Sequence, residues 1–210
     1  IDPLLILSTY SGSEADNWGS TATPGENGTL YSAGVTNHFI GSGTVYSGTF
    51  PATPGAFQTT YGGIFDIGIL KYDSAGTQLL YASYLGGRYT ESAHSLVVNS
   101  QHELVVMGTT GSFDFPTTPS AFDRDFSGGD NALPIGGIDY GFGSDIIVSK
   151  ISQDGSTLLA STFLGGDSND GINTPNGGLV KNYGDELRGD VITDTEGNIF
   201  ISSVTSSPDF

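Results

Sequence analysis

The chain contains no cysteine. Disulfides, zinc–thiolate sites and thiol nucleophiles are thereby excluded, although the absence of cysteine does not by itself assign a compartment. Basic residues are nearly as scarce: six Lys and Arg stand against 23 Asp and Glu, a formal net charge of −17. Such a surface repels phosphate backbones and anionic bilayers, so nucleic-acid binding is disfavoured. No run approaches the roughly 20 apolar residues of a membrane helix, which predicts no direct membrane insertion. There are one Met, one Trp and three His. Neither a Gly-x-Ser-x-Gly elbow nor an HExxH pair occurs, so the common hydrolase signatures are missing.

What is present is glycine, 32 of 210 residues, about twice the average usage. Ser, Thr, Asn and Asp are abundant too. Gly and Asn tolerate positive φ, and Asx side chains close turns, so this composition predicts many short strands joined by turns. It is a poor composition for long helices.

The residues repeat. DIGILKYDSAGTQLLYASYLGG (Asp66 to Gly87) and DIIVSKISQDGSTLLASTFLGG (Asp145 to Gly166) align over 22 residues without a gap, 79 positions apart. LILSTYSGS (Leu5 to Ser13) matches the second half of that unit. A second motif follows each copy: LYSAGVT at Leu30, LVVMGTT at Leu104 and IFISSVT at Ile199. A third, FPATPGAF at Phe50 and FPTTPSAF at Phe115, comes next. Its third copy starts as SSPDF and ends at Phe210, where proline should follow, so the pattern predicts that the polypeptide continues.

Alternation of Ile67 and Ile69, or Ile147 and Ile151, with smaller or polar residues predicts half-buried strands. Asp73-Ser74-Ala75-Gly76 and Gln153-Asp154-Gly155 read as hairpin turns. So do Asn99 to His102 and Asp194 to Asn198. One repeat therefore supplies four antiparallel strands, which for roughly 65–80 residues is a large β-propeller blade. The expected fold is all-β: a partial β-propeller of about three four-stranded antiparallel blades, one domain over 1–210 with approximate repeats 1–78, 79–157 and 158–210. Three blades do not close a ring, and an open stack leaves strand edges unpaired. In FPxTPxAF, proline removes a donor and fixes φ, so the motif is a rigid connector whose two Phe residues should pin it to a blade edge.

YASYLGG, GTTGSFDFPTTPSAF, DIIVSKISQDGSTLLASTFLGG and VTSSPDF resemble the SBBP-type bacterial β-propeller repeat, in which LxYSTYLGG, DxxGNxYVTGxT, SxDFPTTPGAF and DAFVxKxxxDGS follow in order. The resemblance covers nearly the whole chain. The first copy departs from it, with STATPGENG where an Asp-x-x-Gly-Asn turn is usual. The resemblance implies a secreted, cell-surface or outer-membrane bacterial protein, of the kind linked in Bacteroidota to type IX secretion. It also implies protein partners at the envelope beside the remaining blades of the same chain.

Positions shared by the copies should hold the blade, and inserted positions are where function is added. Thr36 to Phe50 spans 14 residues where the other copies need five, and holds His38, Phe39 and Tyr46. Phe122 to Asp145 spans 23 where the first copy needs nine, and holds Asp139, Tyr140 and Phe142. Gly166 to Thr205 spans 39 instead of 23, and holds Tyr183. These seven are the candidate interaction residues. Asp123, Asp125 and Asp130, and separately Asp167, Asn169 and Asp170, are candidate calcium ligands, since calcium takes several oxygens in flexible geometry. Neither loop has EF-hand spacing, and Asx-turn capping is the competing reading. No other cofactor is expected.

Catalytic candidates are thin. His94 falls near the start of a strand and His102 in a hairpin turn. Glycosidases need two facing carboxylates, and no pair can be located among so many acids. Ser152 to Thr157 resembles a sialidase Asp-box but lacks its spacer and coincides with a repeated hairpin. Lys71 and Lys150 share one repeat position and are expected to pair with acids of a neighbouring blade. Trp18 is read as a packing residue. The function expected is a non-catalytic protein-interaction scaffold, a component or client of an outer-membrane secretion system; the alternative is a carbohydrate-binding or glycan-active propeller with carboxylates at its channel mouth.

Overall fold

A computed structural model describes residues 8–37, 39–40, 44–45, 49–135, 138–173 and 185–210. The chain begins with β1 (Asp16–Pro24) and β2 (Leu30–Asn37), followed by a small hairpin of β3 (Phe39–Ile40) and β4 (Thr44–Val45), then β5 (Asp66–Tyr72) and β6 (Leu79–Leu85). Strands β1, β2, β5 and β6 form one antiparallel sheet in that order. Next come β7 (Glu91–Val98), β8 (Leu104–Thr110), a small hairpin of β9 (Ala132–Ile135) and β10 (Ile138–Tyr140), then β11 (Asp145–Ile151) and β12 (Leu158–Leu164). Strands β7, β8, β11 and β12 form a second sheet of the same order. A hairpin of β13 (Asp190–Thr193) and β14 (Ile199–Ser202) follows. The only helical elements among the described residues are 3₁₀ turns at Glu26–Gly28 and Asp185–Leu187.

The protein is all-β with four-stranded antiparallel sheets, as the turn-rich composition predicts. The sheets are permuted relative to the sequence repeat. Cuts at 78 and 157 fall in the turns inside β5–β6 and β11–β12, whereas the chain changes sheet between Leu85 and Glu91. The four expected turns close their hairpins by Asx and hydroxyl chemistry. Asp73 Oδ1 accepts Thr77 N at 2.7 Å, Asn99 Oδ1 accepts Glu103 N at 2.9 Å, Asp194 Oδ1 accepts Asn198 N at 2.9 Å, and Ser152 Oγ accepts Thr157 N at 3.0 Å.

The two sheets stack face to face. Tyr31, Ile67, Ile69 and Leu85 of the first meet Leu96, Val106, Ile147 and Phe163 of the second in one core. The opposite face of the second sheet, through Val105, Met107 and Ile146, meets Val191 and Ile201 of the third hairpin. The opposite face of the first buries Leu70 and Tyr84 under Phe50. Central strands β5 and β11 are thus covered on both faces, and each fully buried Ile contributes roughly 2 kcal/mol through apolar area removed from water.

The proline connector covers an edge strand twice in the same way. Thr53 N donates to Ala82 O at 2.9 Å and Thr118 N to Ser161 O at 3.0 Å; Thr53 Oγ1 and Thr118 Oγ1 each accept the returning strand N–H at 3.1 Å. An edge that could pair with another chain is thereby occupied. The first Phe of each connector is buried, Phe50 at 5% and Phe115 at 3% exposure. The second is not equivalent. Phe57 packs at the core between the sheets and donates its N–H to Gly155 O, whereas Phe122 is 88% exposed. The expectation that both Phe residues pin the connector therefore holds only in the first copy. Phe57 meets the turn of the following β11–β12 hairpin, and no described residue plays that part for Phe122.

The lysine expectation also needs correction. Lys71 pairs with Glu26 at 2.6 Å and Lys150 with Glu103 at 3.0 Å, both acids lying beside the first hairpin turn of the same sheet. Lys71 reaches the neighbouring sheet through the Gln153 carbonyl, at 2.8 Å.

Candidate functional site

The first strand of each unit lies on the same side of the stack, and the three converge on a cavity of about 1080 Å³. β1 and β7 each carry a bulge at the same place. Trp18 and Gly19 pair with Val35 and Gly34, then Thr21 pairs with Ala33, leaving Ser20 extra. Ala93 pairs with Gly108, then Ser95 with Met107, leaving His94 extra. A bulge bends its strand and re-aims a side chain. The partner strand must yield, which is why a glycine recurs opposite: a Cβ on Gly34 would stand 2.0 Å from Trp18 O, and one on Gly108 2.2 Å from Ser92 O. In the third hairpin Asp190 pairs with Ser202 as Ser95 pairs with Met107, so Gly189 aligns with Ser20 and His94 in the repeat, with Ser203 in place of Gly34 and Gly108. Ser20, His94 and Gly189 all line the cavity, as do their neighbours Trp18, Ser92 and Leu187, and Gly19, Ala93 and Arg188. Equivalent backbone positions therefore present different side chains to one space.

His94 Nε2 lies 2.8 Å from Thr109 Oγ1 and 3.3 Å from Ser92 Oγ, and Ser92 Oγ lies 2.8 Å from the Tyr140 hydroxyl. Burial pushes the imidazole down to about 4, so it is neutral near pH 7. Its Nδ1 is buried with no hydrogen-bond partner, as is Ser203 Oγ. Ser92 is only 1% exposed and the described cavity wall holds one carboxylate, Asp190. This is neither an accessible nucleophile with its base nor a facing acid pair. Tyr140 is itself 0% exposed and anchors the second insertion to β7 and β8. That corrects its reading as an interaction residue: its ring is committed to a cluster with Val35, Phe65, Ile138 and Ile172. Trp18 does more than pack. It lies 6.4 Å from the Phe65 ring yet stays 42% exposed at the cavity.

A second recurring feature joins the sheets. Gly87 N donates to Glu91 Oε2 at 2.9 Å, Arg88 N to Asp114 Oδ1 at 2.9 Å and Tyr89 N to Ser112 Oγ at 2.7 Å. At the next junction Gly166 N donates to Asp170 Oδ2 at 2.8 Å, Asp167 N to Asp209 Oδ1 at 3.1 Å and Ser168 N to Ser207 Oγ at 3.0 Å. Asp66 and Asp145, at the starts of β5 and β11, lie beside these acids with backbone N–H groups of Gly62 and of Ser127 and Gly128 on their oxygens. Burial drives Asp66 up to about 7, Glu91 to about 8 and Asp145 to about 6, against the pull of those hydrogen bonds. Only glycine fits between: a Cβ on Gly86 would stand 2.6 Å from both Asp66 Oδ1 and Glu91 Oε2, and one on Gly165 2.6 Å from Asp145 Oδ1. The repeated Leu-Gly-Gly and its acids are thus joint residues.

The calcium candidates divide accordingly. Asp170 is 0% exposed and belongs to the second junction, its Oδ2 also accepting Ser207 Oγ at 2.7 Å. Asp123 Oδ1 accepts Asp125 N at 2.9 Å, an Asx turn. Asp130 and Asp167 are brought to one polar cleft with Asn169, whose Nδ2 donates to Asp130 O at 3.0 Å. Asp125 does not line that cleft. Among the described residues no group of three or more His, Cys, Asp or Glu is arranged to hold a metal.

Of the interaction candidates, His38, Tyr46 and Tyr183 lie outside the described residues, and Phe39 falls in β3. Asp139 is exposed, with Oδ1 accepting Asn131 Nδ2 at 2.9 Å. Phe142 is 53% exposed and joins two rings the sequence reading overlooked. It meets Tyr89 edge-on at 4.9 Å and Phe113 at 6.4 Å, while Tyr89 and Phe113 meet at 5.3 Å. Phe113 is 51% exposed and carries the Arg88 guanidinium 5.8 Å from its ring centre. His94, placed near the start of a strand by its sequence, is brought to the cavity by the β7 bulge, which no motif marks. The chain matches no known protein-family model and no curated protein.

Proposed function

We propose that the protein is a non-catalytic β-propeller module that binds another protein through its inserted loops. The resemblance to SBBP repeats, the stacking of like sheets and the meeting of their first strands support a propeller. That resemblance also carries the secreted or outer-membrane location and a role as component or client of a secretion apparatus. One observation carries the interaction reading: the cluster of Tyr89, Phe113 and Phe142 at the surface. Two of its rings are more than half exposed, although a monomer gains nothing by leaving them in water. Aromatic rings dominate the energetics of protein contacts, and rings held edge-to-face in advance lose little entropy on binding.

The test is a crosslinked pull-down from a bacterial envelope fraction with the wild-type chain and a Phe113→Ser/Phe142→Ser variant. Wild type should retain a partner that the variant loses while its melting curve stays close to wild type. A partner retained equally by both would overturn the reading.

A further inference from the structure

The stack of sheets ends in two different faces, and the repeat shows what each one lacks. Inside the chain the faces pair in a fixed way. Tyr31, Ile67 and Ile69 of the first sheet meet Leu96, Val106 and Ile147 of the second. Val105, Met107 and Ile146, on the matching face of the second sheet, meet Val191 and Ile201 of the third hairpin. Val191 and Ile201 stand at the repeat positions of Leu96 and Val106, so the second contact repeats the first. The matching face of the third hairpin has no such cover. Phe200 stands at the repeat position of Tyr31 and Val105. Those two are 0% exposed, whereas Phe200 is 52% exposed, and Ile192, its partner across the hairpin, is 61% exposed. A terminal repeat that faces water needs a polar outer face, and this face is apolar.

The other end is the outer face of the first sheet. A groove of about 400 Å³ opens there, lined by Leu30, Ser32, Leu70 and Tyr72 together with Ser8 and Ser11. Leu30 and Ser32 are the repeat counterparts of Leu104 and Val106, which are 0% exposed where the second sheet packs on the first. Ser32 is smaller than Val106, which leaves room for an aromatic ring on that face. The molecule therefore carries, one at each end, the two halves of a contact that it makes twice inside itself. We infer that the open face of the third hairpin binds the groove face of the first sheet in a second copy of this chain, with Phe200 seated against Leu30 and Ser32. The contact is heterologous, since one patch meets a different one. Neither face includes Tyr89, Phe113 or Phe142, so the partner reading given above stands or falls separately.

Two charge variants separate the ends. Ile192→Lys/Phe200→Lys alters exposed side chains only, and Ser32→Lys places a charge in the groove; melting curves check that each is folded. Sedimentation velocity on the full chain runs from about 1 to about 100 µM. Wild type should reach at least about twice the monomer mass over that range, and each variant alone should stay monomeric. An equimolar mixture of the two variants should form a dimer, because the intact hairpin face of one meets the intact groove of the other. A wild type that stays monomeric throughout would overturn the proposal. So would association that is undiminished in the Ile192→Lys/Phe200→Lys variant, or a mixture of folded variants that stays monomeric. The first two outcomes require no substitution in the groove.

Discussion

The sheet junctions and the first strands follow opposite rules. At the junctions the copies agree: Asp66 matches Asp145, Gly86-Gly87 matches Gly165-Gly166, and Asp114 and Asp209 accept equivalent N–H groups. At the first strands β1 and β7 share a bulge, while the side chains at equivalent repeat positions diverge into Trp18, Ser92 and Leu187, or Ser20, His94 and Gly189. Where repetition is kept, the residues hold sheets together. Where it is dropped over a constant backbone, the residues face open space. In a repeat-built chain, departures from the repeat on a shared backbone are therefore where a ligand site is to be sought.

The largest break in that comparison should come from the paired lysines. Lys71 and Glu26 are buried, with side chains 6% and 7% exposed, while Lys150 and Glu103 are 32% and 22% exposed. Lys71→Ala strands a buried carboxylate and should cost about 3 kcal/mol. Lys150→Ala should cost less than about 1 kcal/mol, because water screens the acid left behind. Denaturant melts of the two variants check this, and equal losses would show that the two copies are not differently loaded.

A smaller effect should come from pH. Asp66, Glu91 and Asp145 bind protons more tightly folded than unfolded, so their contribution to stability falls as pH rises through the window from about 4 to about 8. His94 has the opposite sign, since its folded value of about 4 lies below the ordinary 6.5, but it acts only below about pH 6.5. Between pH 8 and 6.5 the contribution of these acids grows as pH falls, and the melting midpoint should rise. Glu91→Gln, which carries no titrating proton, should flatten the slope. A midpoint that falls over this interval would contradict the junction account. The smallest effect expected is that of calcium: a chelator should leave the midpoint unchanged if Asx capping explains these acids, and a drop would assign calcium to the cleft of Asp130, Asp167 and Asn169.

Much of the fold was legible because turn chemistry is local. Asp73, Asn99 and Asp194 close hairpins through N–H groups two to five residues away. Strand alternation in β5 and β11 was legible for the same reason. The permuted sheet boundary was not, because pairing β8 with β11 spans the long second insertion, and no local signal ranks that pairing above β6 with β7. The site was less legible still. Tyr140 sits in a polar, glycine-rich loop that reads as exposed, yet a hydroxyl bonded to Ser92 lets it be buried. Phe113 lies in the repeated connector and Phe142 in the insertion, so only folding reveals that they share a surface with Tyr89. His94 becomes a cavity residue through a bulge, and a single extra residue in a strand leaves no trace in composition or period.

The contrast between fixed junctions and variable first strands is tested most directly by adding one methyl group in each. The melting midpoints of Gly86→Ala and Gly19→Ala are measured side by side. At Gly86 the new Cβ would meet two buried carboxylate oxygens at 2.6 Å, whereas at Gly19 nothing lies within 4 Å. Gly86→Ala should lose about 2 kcal/mol or more, and Gly19→Ala should stay within about 0.5 kcal/mol of wild type. Equal losses, or a larger loss at Gly19, would contradict it.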